Sequence, residues 1–202
     1  MKLVFYSLFI VVLYGCSQSE KKSAVIGKIT KENVAPVGTI SSESLYQLTD
    51  TFQTQDNKKV TLSFFKGKPT VVGMIFTHCT YACPRLTADI KNIEQDLKTE
   101  NGKVNFLLVS FDSERDFPEQ LKKFANSEGL DDNWTLLHGN ESAVRTLSVL
   151  LNVQFQKDAE GNFSHSNVIS VLDKKGDLVF QKEGLNADHA VTVSTIQNLL
   201  IE

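Results

Sequence analysis

The residues best equipped to do chemistry are two cysteines, Cys79 and Cys83, in the run Phe76-Thr77-His78-Cys79-Thr80-Tyr81-Ala82-Cys83-Pro84. If both lie in the first turn of a helix, their four-residue spacing puts the side chains on one face, with Cβ atoms about 5–6 Å apart. That separation suits a shared metal ion and, with slight adjustment, a disulfide. Unpaired backbone N–H groups and the positive end of the helix dipole stabilise thiolates there, so both cysteines are expected to ionise more readily than a free thiol. Pro84 fits the first turn, where a missing N–H costs little. Two thiolates make an incomplete metal site, since structural zinc takes four ligands and its usual signature needs a second pair. The available imidazoles are His78, His138, His165 and His189. His78 adjoins Cys79 and is a ligand, a cation that lowers the thiol pKa, or, if strand geometry persists and points it away, a neighbour of the site or a surface residue, the reading favoured here. His138 and His189 read as surface residues.

Positioning these groups falls to a chain of alternating strands and helices. Val71 to Phe76 is a short apolar run that reads as a buried strand leading straight to Cys79. After the cysteines, Leu86, Ile90, Ile93 and Leu97 form a stripe at helical spacing, with a stop at Asn101-Gly102. Val104 to Phe111 is a second buried strand, ending at Asp112. Asp116 and Glu119 have capping-box spacing ahead of a helix with Leu121 and Phe124 inward, ending near Gly129. Trp134 to Leu137 is a short strand, and Asn140 caps a helix carrying Val144, Leu147 and Leu151. Before all this, Leu45 to Thr54 and Lys59 to Leu62 read as a hairpin around Gln55-Asp56-Asn57-Lys58. At the far end, Val153 to Gln156 is a strand. Val168 to Leu172 and Leu178 to Phe180 then form a closing hairpin, followed by a helix over 188–200 with Val191, Ile196 and Leu199 or Leu200 inward.

Strands alternating with helices predict an α/β fold with a mostly parallel central sheet, where ligands bind at the carboxyl ends of strands. The order resembles the thioredoxin-like fold with an insertion between its halves. In that fold the loop before the closing hairpin packs against the cysteine loop. Phe163-Ser164-His165-Ser166-Asn167 occupies that loop, so His165 is either a third ligand or a surface loop residue. Two thiolates and one imidazole form a soft, low-coordinate set that suits copper. Asp112, at the same sheet edge, is a candidate for supporting the site or docking a partner, or simply a loop acid.

The N-terminus predicts an address. Lys2 and the apolar Leu3 to Leu13 have the form of an export signal, too short to span a bilayer. The signal ends in Leu13-Tyr14-Gly15-Cys16, which resembles the lipobox of bacterial lipoproteins; residues 1–16 are therefore expected to be a signal with a lipidated Cys16. Residues 17–39 read as a polar tether and 40–202 as the folded domain. With Cys16 assigned to the anchor, Cys79 and Cys83 are an isolated pair, and outside the cytosol such a pair rests as a disulfide by default. A net charge of −3 gives no sign of a nucleic-acid partner, and a monomer is expected.

The residues are similar to those of the Sco/SenC family of exported copper proteins. The similarity rests on Phe64-Phe65-Lys66-Gly67-Lys68-Pro69, the Cys79–Cys83-Pro84 pattern, Val109-Ser110-Phe111-Asp112-Ser113-Glu114-Arg115-Asp116, and Ser164-His165-Ser166 with Leu172-Asp173-Lys174-Lys175-Gly176. It runs from about Leu45 to the C-terminus. It implies a thioredoxin-like fold and a copper site of Cys79, Cys83 and His165. It also implies a role in supplying copper to the binuclear copper centre of cytochrome c oxidase, or in keeping that subunit's cysteines reduced. Thr80 stands where the family has a proline after the first cysteine, Ser113 and Phe117 replace residues of the family's acidic loop, and Ser164 replaces the acid before the histidine. Two other activities use the same sulfurs: a thiol–disulfide oxidoreductase needing the cysteines but not His165, and a peroxide-reducing enzyme of the same fold. For the latter, Thr77 stands only two residues before Cys79, where three are expected.

Overall fold

The computed structural model describes residues 44–97 and 102–201. The proposed signal, Cys16, the tether and Asn101 lie outside the described residues. A 3₁₀ turn at Leu45–Gln47 precedes β1 (Phe52–Thr54) and β2 (Lys59–Val60), and a second at Leu62–Phe65 leads to β3 (Thr70–Ile75). There follow α1 (Ala82–Leu97), β4 (Asn105–Ser110), α2 (Pro118–Ser127), β5 (Trp134–His138) and α3 (Glu141–Leu150). The chain closes with β6 (Phe155–Lys157), β7 (Phe163–His165), β8 (Val168–Leu172), β9 (Leu178–Glu183) and α4 (Ala190–Ile201).

Seven strands form one sheet in the order β2-β1-β5-β4-β3-β8-β9. Its centre is parallel, β5-β4-β3, and antiparallel strands flank it on both sides. This is the thioredoxin-like arrangement, with an N-terminal hairpin at one edge and the closing hairpin at the other. Every residue of β3 and β8 is buried, as the unbroken apolar run of β3 required for a strand covered on both faces. Gly73 sits where α1 crosses β3: a Cβ there would lie 2.9 Å from Ile90 Cδ1. The α1 stripe is as expected, with Leu86, Ile90, Ile93 and Leu97 all buried. Asn140 caps α3 by accepting the Ala143 N–H at 2.8 Å.

Several expectations are corrected. Leu45–Gln47 is a 3₁₀ turn, not the start of a strand. Asp116 does not cap α2. The cap position is Phe117, Pro118 fills the first turn, and the Asp116 carboxylate is drawn inward by stronger donors. In α4, Val191 is exposed and Thr192 takes the inward position beside Ile196 and Leu199. His189 is not a surface residue: its side chain is 10% exposed and Nε2 lies 3.5 Å from Oδ1 of buried Asp89 on α1. His138 is half-buried against the Phe117 ring, with a centroid separation of 5.0 Å. His165 lies on a strand rather than a loop: β7 pairs with β6 in a separate two-stranded ribbon, Phe155 opposite His165.

Candidate metal centre

β3 delivers the chain to Phe76 at its carboxyl end, and the chain turns before α1 starts at Ala82. Cys79 therefore precedes the helix, and only Cys83 is in its first turn. Their spacing still brings them together, because the Cys83 N–H donates to the Cys79 sulfur at 3.4 Å. The thiol thus satisfies one of the unpaired donors at the helix start, the place a capping oxygen usually takes. The Cys83 sulfur in turn accepts the Phe76 N–H at 3.4 Å. Both are free thiols, Cys79 partly exposed and Cys83 buried.

The surroundings split the pair. Burial opposes ionisation of Cys79. The N–H groups of Cys83, Tyr81 and Ala82, helped by the Cys83 side chain, outweigh it and hold the thiol below its ordinary value. Burial pushes the Cys83 thiol well up, and the neighbouring Cys79 and Asp116 add to the rise against the one favourable Phe76 N–H. The expectation that both cysteines ionise easily is therefore corrected for Cys83, which gains one N–H bond but loses all contact with water.

His165 reaches the pair from β7. Its Nε2 lies 3.6 Å from the Cys83 sulfur, while Nδ1 faces the Ser166 carbonyl at 3.1 Å. With the proton on Nδ1, that bond fixes the tautomer and turns the Nε2 lone pair toward the sulfurs, as metal-binding imidazoles are usually held. Burial lowers the His165 pKa, only partly offset by the Ser166 carbonyl, so the ring is neutral and free to donate. Phe111 packs on it at 4.9 Å between centroids, and Phe76 meets it edge-on at 6.2 Å. Donor atoms of Cys79, Cys83 and His165 all lie within 4.8 Å of one another. Two sulfurs and one neutral nitrogen at that separation fit a soft, low-coordinate ion.

His78 turns away from the sulfurs. Its Nδ1 is 3.5 Å from Asp116 Oδ1 and 3.3 Å from Thr77 Oγ1, and its side chain is 46% exposed. His78, Asp112 and Asp116 form a second group of close donors. Their carboxylates are already engaged: Asp116 accepts from the Thr77 N–H, Thr77 Oγ1 and Ser110 Oγ, and Asp112 accepts from Arg115 and the Glu114 N–H. Sequence reasoning missed Thr77, Arg115 and Asp116. The available signal was a polar Thr just past an otherwise apolar strand and a strand-end loop dense in charge.

A family model described as SCO1/SenC matches residues 40–200. The chain belongs to the SCO1/SenC family. Its SCO1/SenC relative in Bacillus subtilis (strain 168), a SCO1 protein homolog, is 44% identical over 113 residues, 55% of this chain and 58% of that protein. The chain spans less than two thirds of the length of the curated relatives it matches. Among solved SCO1/SenC-like structures, the family lipoprotein from Bacillus anthracis str. Ames aligns at TM-score 0.69 and 27% identity, over 77% of this chain and 95% of that one. Bradyrhizobium japonicum ScoI with copper bound aligns at TM-score 0.65 and 25% identity, over 74% and 96%. BsSco, described as a member of the Sco family of cytochrome c oxidase assembly proteins with a disulfide switch, aligns at 0.66 and 27%, over 78% and 98%.

Proposed function

We propose that this protein is a copper metallochaperone that holds copper through Cys79, Cys83 and His165 and passes it to a copper-accepting subunit during assembly of cytochrome c oxidase. The observation that carries the reading is the convergence of two thiols and an oriented, neutral imidazole within 4.8 Å, from residues 82 positions apart in the chain. Copper in the ScoI relative and oxidase assembly as the role of the Sco family support it. Copper is cargo here. The thiolates suit Cu(I), the imidazole adds a donor that Cu(II) favours, and the partial exposure of Cys79 leaves one ligand open to exchange with an acceptor. The short apolar N-terminal segment ending at Cys16, together with the lipoprotein relative, supports an exported chain tethered to a membrane by lipid. Among the described residues no helix is long and apolar enough to cross a membrane.

The test is a copper titration of the reduced protein beside His165→Ala. One equivalent of Cu(II) should bind with a sulfur-to-copper charge-transfer band. The variant should lose that band while keeping Cu(I) binding through the two sulfurs. Equal binding of Cu(II) by both proteins removes His165 from the ligand set.

The unequal thiols favour a second reading, a thiol–disulfide oxidoreductase acting on partner cysteines. The Cys79 thiolate would attack a partner disulfide and Cys83 would resolve the mixed disulfide, passing two electrons and two protons to the partner. Retained reduction of a partner disulfide by His165→Ala would favour this reading over metal transfer.

A further inference from the structure

The loop between β4 and α2 supplies no metal donor to the thiol–imidazole group, yet it grips both elements that do. Asp116 is wholly buried and its carboxylate accepts the Thr77 N–H at 2.8 Å and the Thr77 hydroxyl at 2.6 Å, two residues before Cys79. Ser110 Oγ donates to the same carboxylate at 2.6 Å, which ties it to the end of β4. The adjacent Arg115 donates through Nε to the buried Asp112 carboxylate and through Nη2 to the Gly161 carbonyl, in the turn between β6 and β7. Lys157 of β6 adds an ion pair to Glu114 at 2.6 Å, but that pair is largely exposed and so weak. The β6–β7 ribbon pairs with no strand of the main sheet. Besides its chain connections, it is held by the rings of Phe111 and Phe76, by Arg145 of α3 lying over the Phe155 ring at 5.1 Å, by the His165–Cys83 contact and by this polar clamp.

We infer that Arg115 is a positioning residue: anchored on Asp112, it pins the tip of the β6–β7 ribbon and so sets the distance between His165 and the sulfurs, while Asp116 in the same loop holds the cysteine turn. The loop is a brace between two ligand-bearing elements that share no ladder. A guanidinium suits this task because its fork reaches a carboxylate and a carbonyl at once; an ammonium is a single point on a flexible stem. The inference rests on the reading that Cys79, Cys83 and His165 bind copper, and its test separates the two.

The first measurement needs no metal. In the reduced full chain, nuclear Overhauser contacts between the Phe111 and His165 rings report ribbon docking, and those between Phe106 and Trp134, stacked at 5.2 Å, report the core. Arg115→Ala and Arg115→Lys should lose the first contact and keep the second. The second measurement is Cu(II) and Cu(I) affinity for wild type and both variants. Cu(II) affinity should fall about 10–100-fold, the range for outer partners of metal ligands, with nitrogen hyperfine coupling lost, while Cu(I) affinity should hold within about threefold. If the folded variants keep the Phe111–His165 contact and wild-type Cu(II) affinity, the aromatic contacts suffice and the inference is overturned. Loss of the Phe106–Trp134 contact in both variants likewise overturns it, assigning Arg115 to the stability of the whole domain. If wild type itself shows no nitrogen-coupled Cu(II), the ligand reading fails, while the ring contacts still decide the brace.

Discussion

Two cysteines four positions apart end in opposite situations. Cys79 lies at a helix start with several N–H groups aimed at its sulfur, whereas Cys83 is sealed under the β3 loop and His165. The first sulfur is partly exposed to solvent; the second is buried. Alkylation of the reduced, metal-free protein should therefore modify Cys79 first, at pH 7.5 faster than Cys83 by about tenfold or more, since each pKa unit changes the thiolate fraction about tenfold. The rate at Cys79 should climb with a midpoint below the ordinary thiol value of 9.0, and that at Cys83 only above it. Mass spectrometry of timed samples reads both, and equal rates would mean the two thiols share one environment. The chain shows that both sulfurs sit near a helix start. It does not show which is buried, because burial is decided by what folds over them from 82 residues away.

At the level of elements, the site depends on α1 being held flat against β3, since that contact sets where the helix start points. Gly73 makes the approach possible. A methyl group there meets Ile90 Cδ1 at 2.9 Å and Leu108 Cδ2 at 3.2 Å. Those are the ends of flexible side chains, so Gly73→Ala should cost about 1–2 kcal/mol, toward the lower end for overpacked cores. Urea unfolding would show it as a lower midpoint at unchanged slope; an unchanged midpoint would mean α1 has room to move. The stripe Leu86, Ile90, Ile93 and Leu97 was readable because it repeats over about three turns of one helix. The strand Phe163–His165 was not. Three residues are too few to show alternation, and its partner Phe155–Lys157 pairs with it alone, outside the main sheet.

The domain as a whole closes its core without the metal. The fully buried residues include Phe52, Val71, Ile75, Ile90, Leu108, Leu136 and Ile169, drawn from strands and helices across the sheet, while the three donors lie together at the end of β3. Stripping copper with a chelator should therefore leave cooperative unfolding intact. This is unlike small zinc domains, whose fold depends on the ion. Ligand at about 100 times its dissociation constant adds about 2.7 kcal/mol, so copper-loaded protein should melt about 5–10 °C higher. Differential scanning calorimetry with and without chelator checks both statements, and loss of a cooperative transition on chelation would make the metal part of the core.

The sequence by itself determined the α/β class, the buried strand leading to Cys79 and the amphipathic helix behind it, because each is written in local periodicity, and through the family resemblance it named Cys79, Cys83 and His165 as candidate donors. The tertiary structure decided what depends on distant packing. It buried Cys83 and left Cys79 partly exposed, paired His189 with Asp89, took Asp116 from a helix cap to an anchor of the cysteine turn, and set Arg115 between Asp112 and the turn joining β6 to β7. A carboxylate or guanidinium goes to whichever donors or acceptors the fold leaves unsatisfied, and those come from segments that meet only after the sheet has formed.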